Sequence, residues 1–183
     1  MNGTEILTER IKLRLIGLSD LETIHDLHSL PETDEFNALG IPKNIDETRL
    51  IIEPWISENK MKEIKNYTFA IENKSDGKFI GLFGLKLGNK KYKRGEVWYK
   101  IHSDYWKKGY ATESLKAIIV FGFETLQLHR IEAGCAVNNI GSIKVLEKAG
   151  MILEGRGRQI LPLRSGWSDN FKYSILETDE RKN

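Results

Sequence analysis

The chain has 183 residues, 40% hydrophobic and 30% charged, which suits one soluble globular domain with a substantial core. Its net charge of +2, without any long Lys/Arg block, gives no footprint for nucleic acid. The lone Cys135 excludes an intramolecular disulfide and a cysteine-rich zinc site, and no apolar run is long enough to cross a membrane. The stretch MNGTEILTER lacks the basic start and apolar core of a signal peptide, so a cytoplasmic protein without membrane association is expected.

Ile11, Leu13 and Leu15 alternate with Lys12 and Arg14, the period of a strand with one buried face. Ser19-Asp20-Leu21-Glu22 is a capping-box pattern, followed by Leu21, Ile24, Leu27 and Leu30 at helical spacing; Pro31 ends that helix. The polar segment ETDEFNALGIPKN reads as a mobile loop. Asp46 is a cap for a second helix carrying Leu50, Ile51 and Ile56, in which Pro54 introduces a kink or a fresh start. Strands are predicted over Tyr67 to Glu72 and Lys78 to Leu87, joined by the hairpin turn KSDG. The basic stretch Asn89 to Arg94 is read as a solvated tip, and Glu96 to Ile101 as the next strand.

Next comes YWKKGYA, Tyr105 to Ala111, a turn between that strand and a helix marked by Leu115, Ile118, Ile119, Gly122 and Leu126. His129 to Val137 is a strand, and Ser142 to Ala149 a helix closed by Gly150. Two last strands, near Gly157 to Leu161 and Phe171 to Leu176, flank RSGWSD. The order is β, two helices, three antiparallel strands, helix, strand, helix, two strands, without repeat or linker: an α+β fold.

Chemistry gathers at three places. The turn points unpaired N–H groups of a helix start into one space, where the helix dipole favours an anion such as phosphate. Gly109 lets the backbone approach closely, and Lys107 and Lys108 add charge; an ordinary turn with a solvated lysine pair accounts for these residues equally well. Glu96 is a carboxylate among apolar neighbours, either functional or a solvent-facing strand end. Asn138-Asn139-Ile140-Gly141-Ser142 sets polar residues at a strand-to-helix junction, where Asn139 or Ser142 could equally be an N-cap.

The block EVWYKIHSDYWKKGYATESLKAIIVFGFETLQLHRIEAGCAVNNIGSIKVLEKAGMILEGRGR resembles the acetyl-CoA-binding core of the GNAT N-acetyltransferases. More narrowly it is similar to the RimJ/RimL type, which acetylates ribosomal-protein N-termini. The family's phosphate-loop pattern, Gln/Arg-x-x-Gly-x-Gly/Ala, falls on Trp106 to Ala111, with Gly109 and Ala111 matching and Trp106 in the Gln/Arg place. TERIKLRLIGLSDLETIHDL and GWSDNFKYSIL resemble that branch's opening and closing segments, so the likeness spans nearly the whole chain. It implies a single GNAT-type domain over residues 1–183: a mixed, mostly antiparallel sheet splayed at the acetyl-CoA site, with helices on both faces.

The resemblance also implies roles. Backbone N–H groups of Lys108, Gly109, Tyr110, Ala111 and Thr112 would hold the CoA pyrophosphate, with Lys107 and Lys108 supplying charge. The pantetheine arm would run along Ile101, His102 and Ser103 and meet Asn139. Ser142 would lie near the sulfur and help the thiolate leave, because the position of another branch's acidic tyrosine is Leu146. Glu96 matches the glutamate of the AEIGY-like strand and is the candidate base; strand N–H groups near Ile101 would stabilise the oxyanion. Trp98 departs from the glycine of relatives, and either narrows the acceptor cleft or points into the core. Met151, in place of a phenylalanine, is read as packing.

The reaction calls for no metal, and His102 and His129 have no paired ligand partners. Cys135 is read as a buried strand residue. The expected acceptor is a primary amine, a peptide N-terminus or a small molecule, in a cleft built from Pro31 to Trp55 and Leu161 to Asp169 and lined by Trp55, Tyr99, Trp167 and Asp169. The chain is expected to be a monomer or homodimer. The rivals are a non-catalytic acyl-CoA-binding module, against which Glu96 and Ser142 both speak, and a P-loop nucleotide binder, for which GxxxxGK[ST] is missing.

Overall fold

In the computed structural model, which describes residues 4–181, eight strands form one sheet in the order β1-β2-β3-β4-β5-β6-β8-β7. The first three residues of the stretch read for a leader lie outside the described part. The strands are β1 (Glu5–Leu7), β2 (Ile11–Leu15), β3 (Asn66–Asn73), β4 (Phe79–Leu87), β5 (Arg94–Ile101), β6 (Arg130–Ala136), β7 (Ile152–Leu163) and β8 (Gly166–Leu176). All neighbours are antiparallel except β5 and β6. That parallel pair runs only from Arg94↔Arg130 to Val97↔Ala133, whereas β5 continues to Ile101 and β6 to Ala136. Beyond Val97 the two strands part, and the gap between them is the feature on which the site is built.

The helices are α1 (Leu21–Ser29), α2 (Pro31–Asp34), α3 (Ile45–Asn59), α4 (Tyr110–Val120) and α5 (Ile140–Lys148). Strand alternation sends apolar side chains to both faces, and each face has its own core. On one, Leu115 and Ile118 of α4 and Leu146 of α5 pack on Leu13, Phe69, Phe83, Leu85, Val97 and Ile131. On the other, Leu21, Ile24 and Leu27 of α1 and Ile52 and Ile56 of α3 pack on Ala70 and Leu82. Each such side chain taken fully out of water is worth about 1.5–3 kcal/mol. Asn59 docks the end of α3 by exchanging two hydrogen bonds with the Thr68 backbone, at 2.9 and 3.0 Å.

Several expectations change. The first strand has a short partner, β1, which three residues could not announce by periodicity. The capping contact at α1 is made one turn earlier: Asp20 accepts the Gly17 N–H at 2.8 Å and the Arg14 guanidinium at 2.6 and 2.9 Å. Pro31 begins α2 as well as ending α1, since proline suits the first helical position. The front of the segment read as a mobile loop is therefore helical, with Thr33 and Asp34 buried; residues 35–44 carry no regular element. Asn44, not Asp46, caps α3, its side chain accepting the Glu47 N–H at 3.0 Å. Pro54 lies inside that one continuous helix. It leaves the Leu50 carbonyl without a helical donor, and Leu50 is exposed, so water can take its place.

Candidate active site

Alternation along β5 assigns each residue to a face. Val97 and Ile101 join the α4/α5 core, with Tyr99 packed against it. Trp98 meets Trp55 of α3 at 5.4 Å, and Lys100 Nζ lies 3.1 Å from His28 Nδ1 of α1. Glu96 therefore shares the α1/α3 face with Trp98 and Lys100. Trp98 stands over Gly84 of β4, where a Cβ would fall inside the indole. Trp98 is thus a one-third exposed ring packed at a tilt against Trp55.

A cleft of about 620 Å³ runs from the start of α4, on the α4/α5 face, past the gap between β5 and β6 to Lys100 and α2, which lie toward the other face. At one end lie Lys107, Gly109, Tyr110, Ala111 and Thr112. Gly109 has φ +84°, and Lys107 also adopts a left-handed φ of +60°, which costs a non-glycine residue about 1 kcal/mol and is characteristic of functional turns. The first N–H with a helical acceptor is that of Glu113, bonded to Gly109 O at 3.0 Å. Those of Tyr110, Ala111 and Thr112 precede it and have no intrahelical partner, so the turn can hold an anion. Lys144 and Lys148, one turn apart on α5, line the same cleft.

Ile101 carries its carbonyl into this region and accepts the Trp106 Nε1–H at 2.7 Å, so the indole ties the turn to the strand it leaves. Asn138, Asn139 and Ser142 line the middle of the cleft. Asn139 is the N-cap of α5, its Oδ1 accepting the Ser142 N–H at 3.0 Å. Ser142 is not a cap: its Oγ meets the Tyr99 hydroxyl at 2.6 Å. Burial pushes the Tyr99 phenol well above its ordinary range, so it stays protonated, while the bond to Ser142 acts the other way. Burial likewise pushes the Cys135 thiol up to about 11; with 6% exposure it is a core residue, not a nucleophile.

Beside the gap on the opposite face, His28, Asp34 and Lys100 form a buried polar group. Burial pushes the Lys100 ammonium down to about 8 against the opposing pull of Asp34. His28 falls to about 3, through burial and then the charge of Lys100. Among the described residues, His28 Nε2 and Asp34 Oδ1 find no hydrogen-bond partner.

The structure brings together Ile101, Lys107, Gly109, Tyr110, Ala111, Thr112, Asn139 and Ser142 around one cleft. Others stand apart. Lys108 turns its ammonium over the Tyr105 ring at 5.6 Å. The His102 ring accepts the Asp104 N–H at 3.2 Å as a turn cap, and Ser103 donates to Glu32 Oε1 at 2.8 Å. Glu96 is exposed on the far face, with Glu132 as its neighbour in β6. Of the four residues expected to line the acceptor cleft, only Tyr99 reaches this one, and it faces Ser142. Trp55 is packed between His28 and Trp98. Trp167 is 66% exposed near the β7–β8 turn, and Asp169 is spent on Arg156 and the Gln159 N–H at 2.6 and 2.8 Å. Reading the sequence missed Lys144 and Lys148, whose i,i+4 spacing after Asn139 was the available signal, and Lys100, whose burial no local pattern reveals.

Residues 10–152 match the family described as acetyltransferase (GNAT) domain. The chain is 29% identical over 176 residues to the uncharacterised N-acetyltransferase YnaD of Bacillus subtilis, covering 95% of this chain and 98% of that protein. It is 24% identical over 172 residues to a spermidine N(1)-acetyltransferase of Vibrio cholerae, covering 94% and 96%. Among solved structures, a GNAT-family acetyltransferase of Bacillus anthracis superposes with a TM-score of 0.84 at 27% identity, covering 96% of this chain and all of the other.

Proposed function

The chain belongs to the acetyltransferase (GNAT) family, and on that premise we propose that it moves the acetyl group of acetyl-CoA to a primary amine, the α-amine of a peptide or protein N-terminus in the RimJ/RimL manner. The observation that carries the donor half is the gap between β5 and β6 lying beside the unpaired N–H groups at the start of α4. The turn holds the pyrophosphate through the N–H groups of Gly109 to Thr112, and Lys107, Lys144 and Lys148 balance its charge. Asn139 meets the arm, and N–H groups of β5 near Ile101 face the carbonyl oxygen that becomes an oxyanion.

The two candidate proton-handling groups lie on opposite faces of the sheet. This suits a reaction in which donor and acceptor enter from opposite sides and meet in the gap. An α-amine, with a pKa near ~8, is mostly protonated at neutral pH and must shed a proton before attack. Glu96, exposed on the acceptor side, takes it through water, a step typically worth about 10²–10⁴-fold. The new C–N bond forms as the C–S bond breaks, and Ser142 Oγ–H protonates the departing thiolate. The Tyr99 hydroxyl, 2.6 Å from Ser142 Oγ, holds that hydroxyl in place, and the surplus proton shed by the newly bonded nitrogen, passed through water, restores the one Ser142 gives up.

A small polycationic amine is the second reading, favoured by Glu32 and Glu35 at the α2 end of the cleft. Following free thiol released with N-terminal peptides and with polyamines separates the two. Thiol release with neither, despite acetyl-CoA binding, would leave a non-catalytic acyl-CoA-binding module.

A further inference from the structure

Arg10 lies between β1 and β2, outside the cleft, yet its side chain reaches around the rim of the anion-holding turn. Arg10 Nη1 donates to the Lys108 carbonyl at 3.0 Å and Nε to Glu113 Oε2 at 2.7 Å, with Nη2 2.6 Å from the same oxygen. Its backbone N–H donates to Glu113 Oε1 at 3.0 Å, and Thr8 Oγ1 donates to that oxygen at 2.6 Å. The guanidinium also lies over the Tyr110 ring, 4.6 Å from its centroid. Arg10 is itself anchored, its carbonyl accepting the Lys74 N–H at 2.9 Å. One side chain thus touches Lys108, Tyr110 and Glu113, the residues on both sides of Gly109.

Two physical consequences follow. In a planar trans peptide the C=O and the next N–H point in opposite directions. Holding the Lys108 carbonyl toward Arg10 therefore turns the Gly109 N–H away from Arg10, at a residue that lines the cleft. Second, Glu113 sits in the first turn of α4. Its carboxylate suits the helix dipole but competes with any anionic ligand at the same N-terminus, and Arg10 cancels that charge. An exposed ion pair alone would be worth little, but a fork with several fixed partners is geometrically specific.

We propose that Arg10 is a positioning residue: through the Lys108 carbonyl and Glu113 it sets the conformation of the anion-holding turn and neutralises the carboxylate beside it. It thereby governs affinity for the diphosphate of the acyl donor and leaves the acetyl-transfer step alone. The donor part of this inference rests on the acetyl-CoA reading.

The test compares the parent with Arg10→Gln, Arg10→Lys, Glu113→Gln and the double variant Arg10→Gln/Glu113→Gln, by titration with CoA, by steady-state kinetics and by amide hydrogen exchange of the ligand-free protein. Arg10→Gln is expected to weaken CoA and raise KM for acetyl-CoA on the order of tenfold, with kcat at saturation near the parent's. Exchange at the Glu113 amide, which is bonded back to the Gly109 carbonyl of the turn, should accelerate. Arg10→Lys should rescue part of the loss, and the double variant should bind CoA more tightly than Arg10→Gln, because the uncompensated carboxylate is gone. A merely structural staple gives the opposite pattern: a double variant no better than the single one, with kcat falling alongside melting temperature. That pattern, or parent-like affinity in Arg10→Gln, overturns the proposal. Hydrogen exchange needs no ligand, so failure of the parent to bind CoA would reject the donor reading while the exchange rates still decide whether Arg10 holds the turn.

Discussion

Ser142 and Tyr99 share a 2.6 Å hydrogen bond, which makes a serine that looked like a lone donor half of a pair. Ser142→Ala is expected to lower kcat by on the order of tenfold and Tyr99→Phe by less, with KM for acetyl-CoA little changed; steady-state kinetics at saturating donor measures both. A large KM effect in Ser142→Ala would place its role in binding. Glu96→Gln should cut kcat by about 10²-fold and leave acetyl-CoA affinity intact, and unchanged turnover across pH would reject it as base. Lys100 carries a prediction with a worked sign. Its folded pKa of about 8 lies below the ordinary 10.5, so between these values the unfolded chain binds the extra proton and the folded protein does not. Stability therefore rises with pH through that window, on the order of 3 kcal/mol in all. In Lys100→Met this rise should vanish, as urea unfolding at pH 7.5 and pH 10 would reveal; an equal rise in the variant would refute the assignment. The places of Gly109, Asn139 and Ser142 around the cleft were legible because they depend on local position. Tyr99, Lys100 and Arg10 were not, since their partners lie on other elements.

At the scale of elements, close packing explains what periodicity could not. The strand β4 crosses Trp98 at Gly84, with no room for a side chain. Gly84→Ala must push the indole off Trp55, and is expected to destabilise by about 1–3 kcal/mol; a denaturant midpoint equal to the parent's would show that the ring shifts freely. Gly122 is similar, a Cβ there lying 2.7 Å from Ile131 Cδ1, so the chain after α4 presses on β6. The long helix predicted there ends as α4 at Val120 and continues as a π-helical turn over Phe121–Thr125. Long amphipathic stretches such as α1, α3 and α4 were readable from their apolar spacing. The failures cluster at element ends, where one side chain decides: Asn44 over Asp46 for α3, Asp20 on Gly17 before α1, and Pro31 for a four-residue helix.

For the whole molecule, one sheet separates two cores, and the cleft at the gap between β5 and β6 takes residues from both faces. The antiparallel strands and the turn before α4 were evident from alternation and turn residues. That the sheet splays at the acetyl-CoA site came from the family resemblance, and that it does so after Val97 only from the structure, because periodicity along a strand carries no information about its neighbour. The donor end of the cleft is basic and its α2 end carries Glu32 and Glu35, an asymmetry that a net charge of +2 conceals. The central claim is that this cleft holds acetyl-CoA, and isothermal titration of the purified protein tests it most directly. One acetyl-CoA per chain should bind with Kd between about 1 μM and 1 mM, the range usual for enzyme substrates, and Gly109→Val should weaken it strongly. No heat of binding at millimolar acetyl-CoA, or binding that Gly109→Val leaves untouched, would contradict the account.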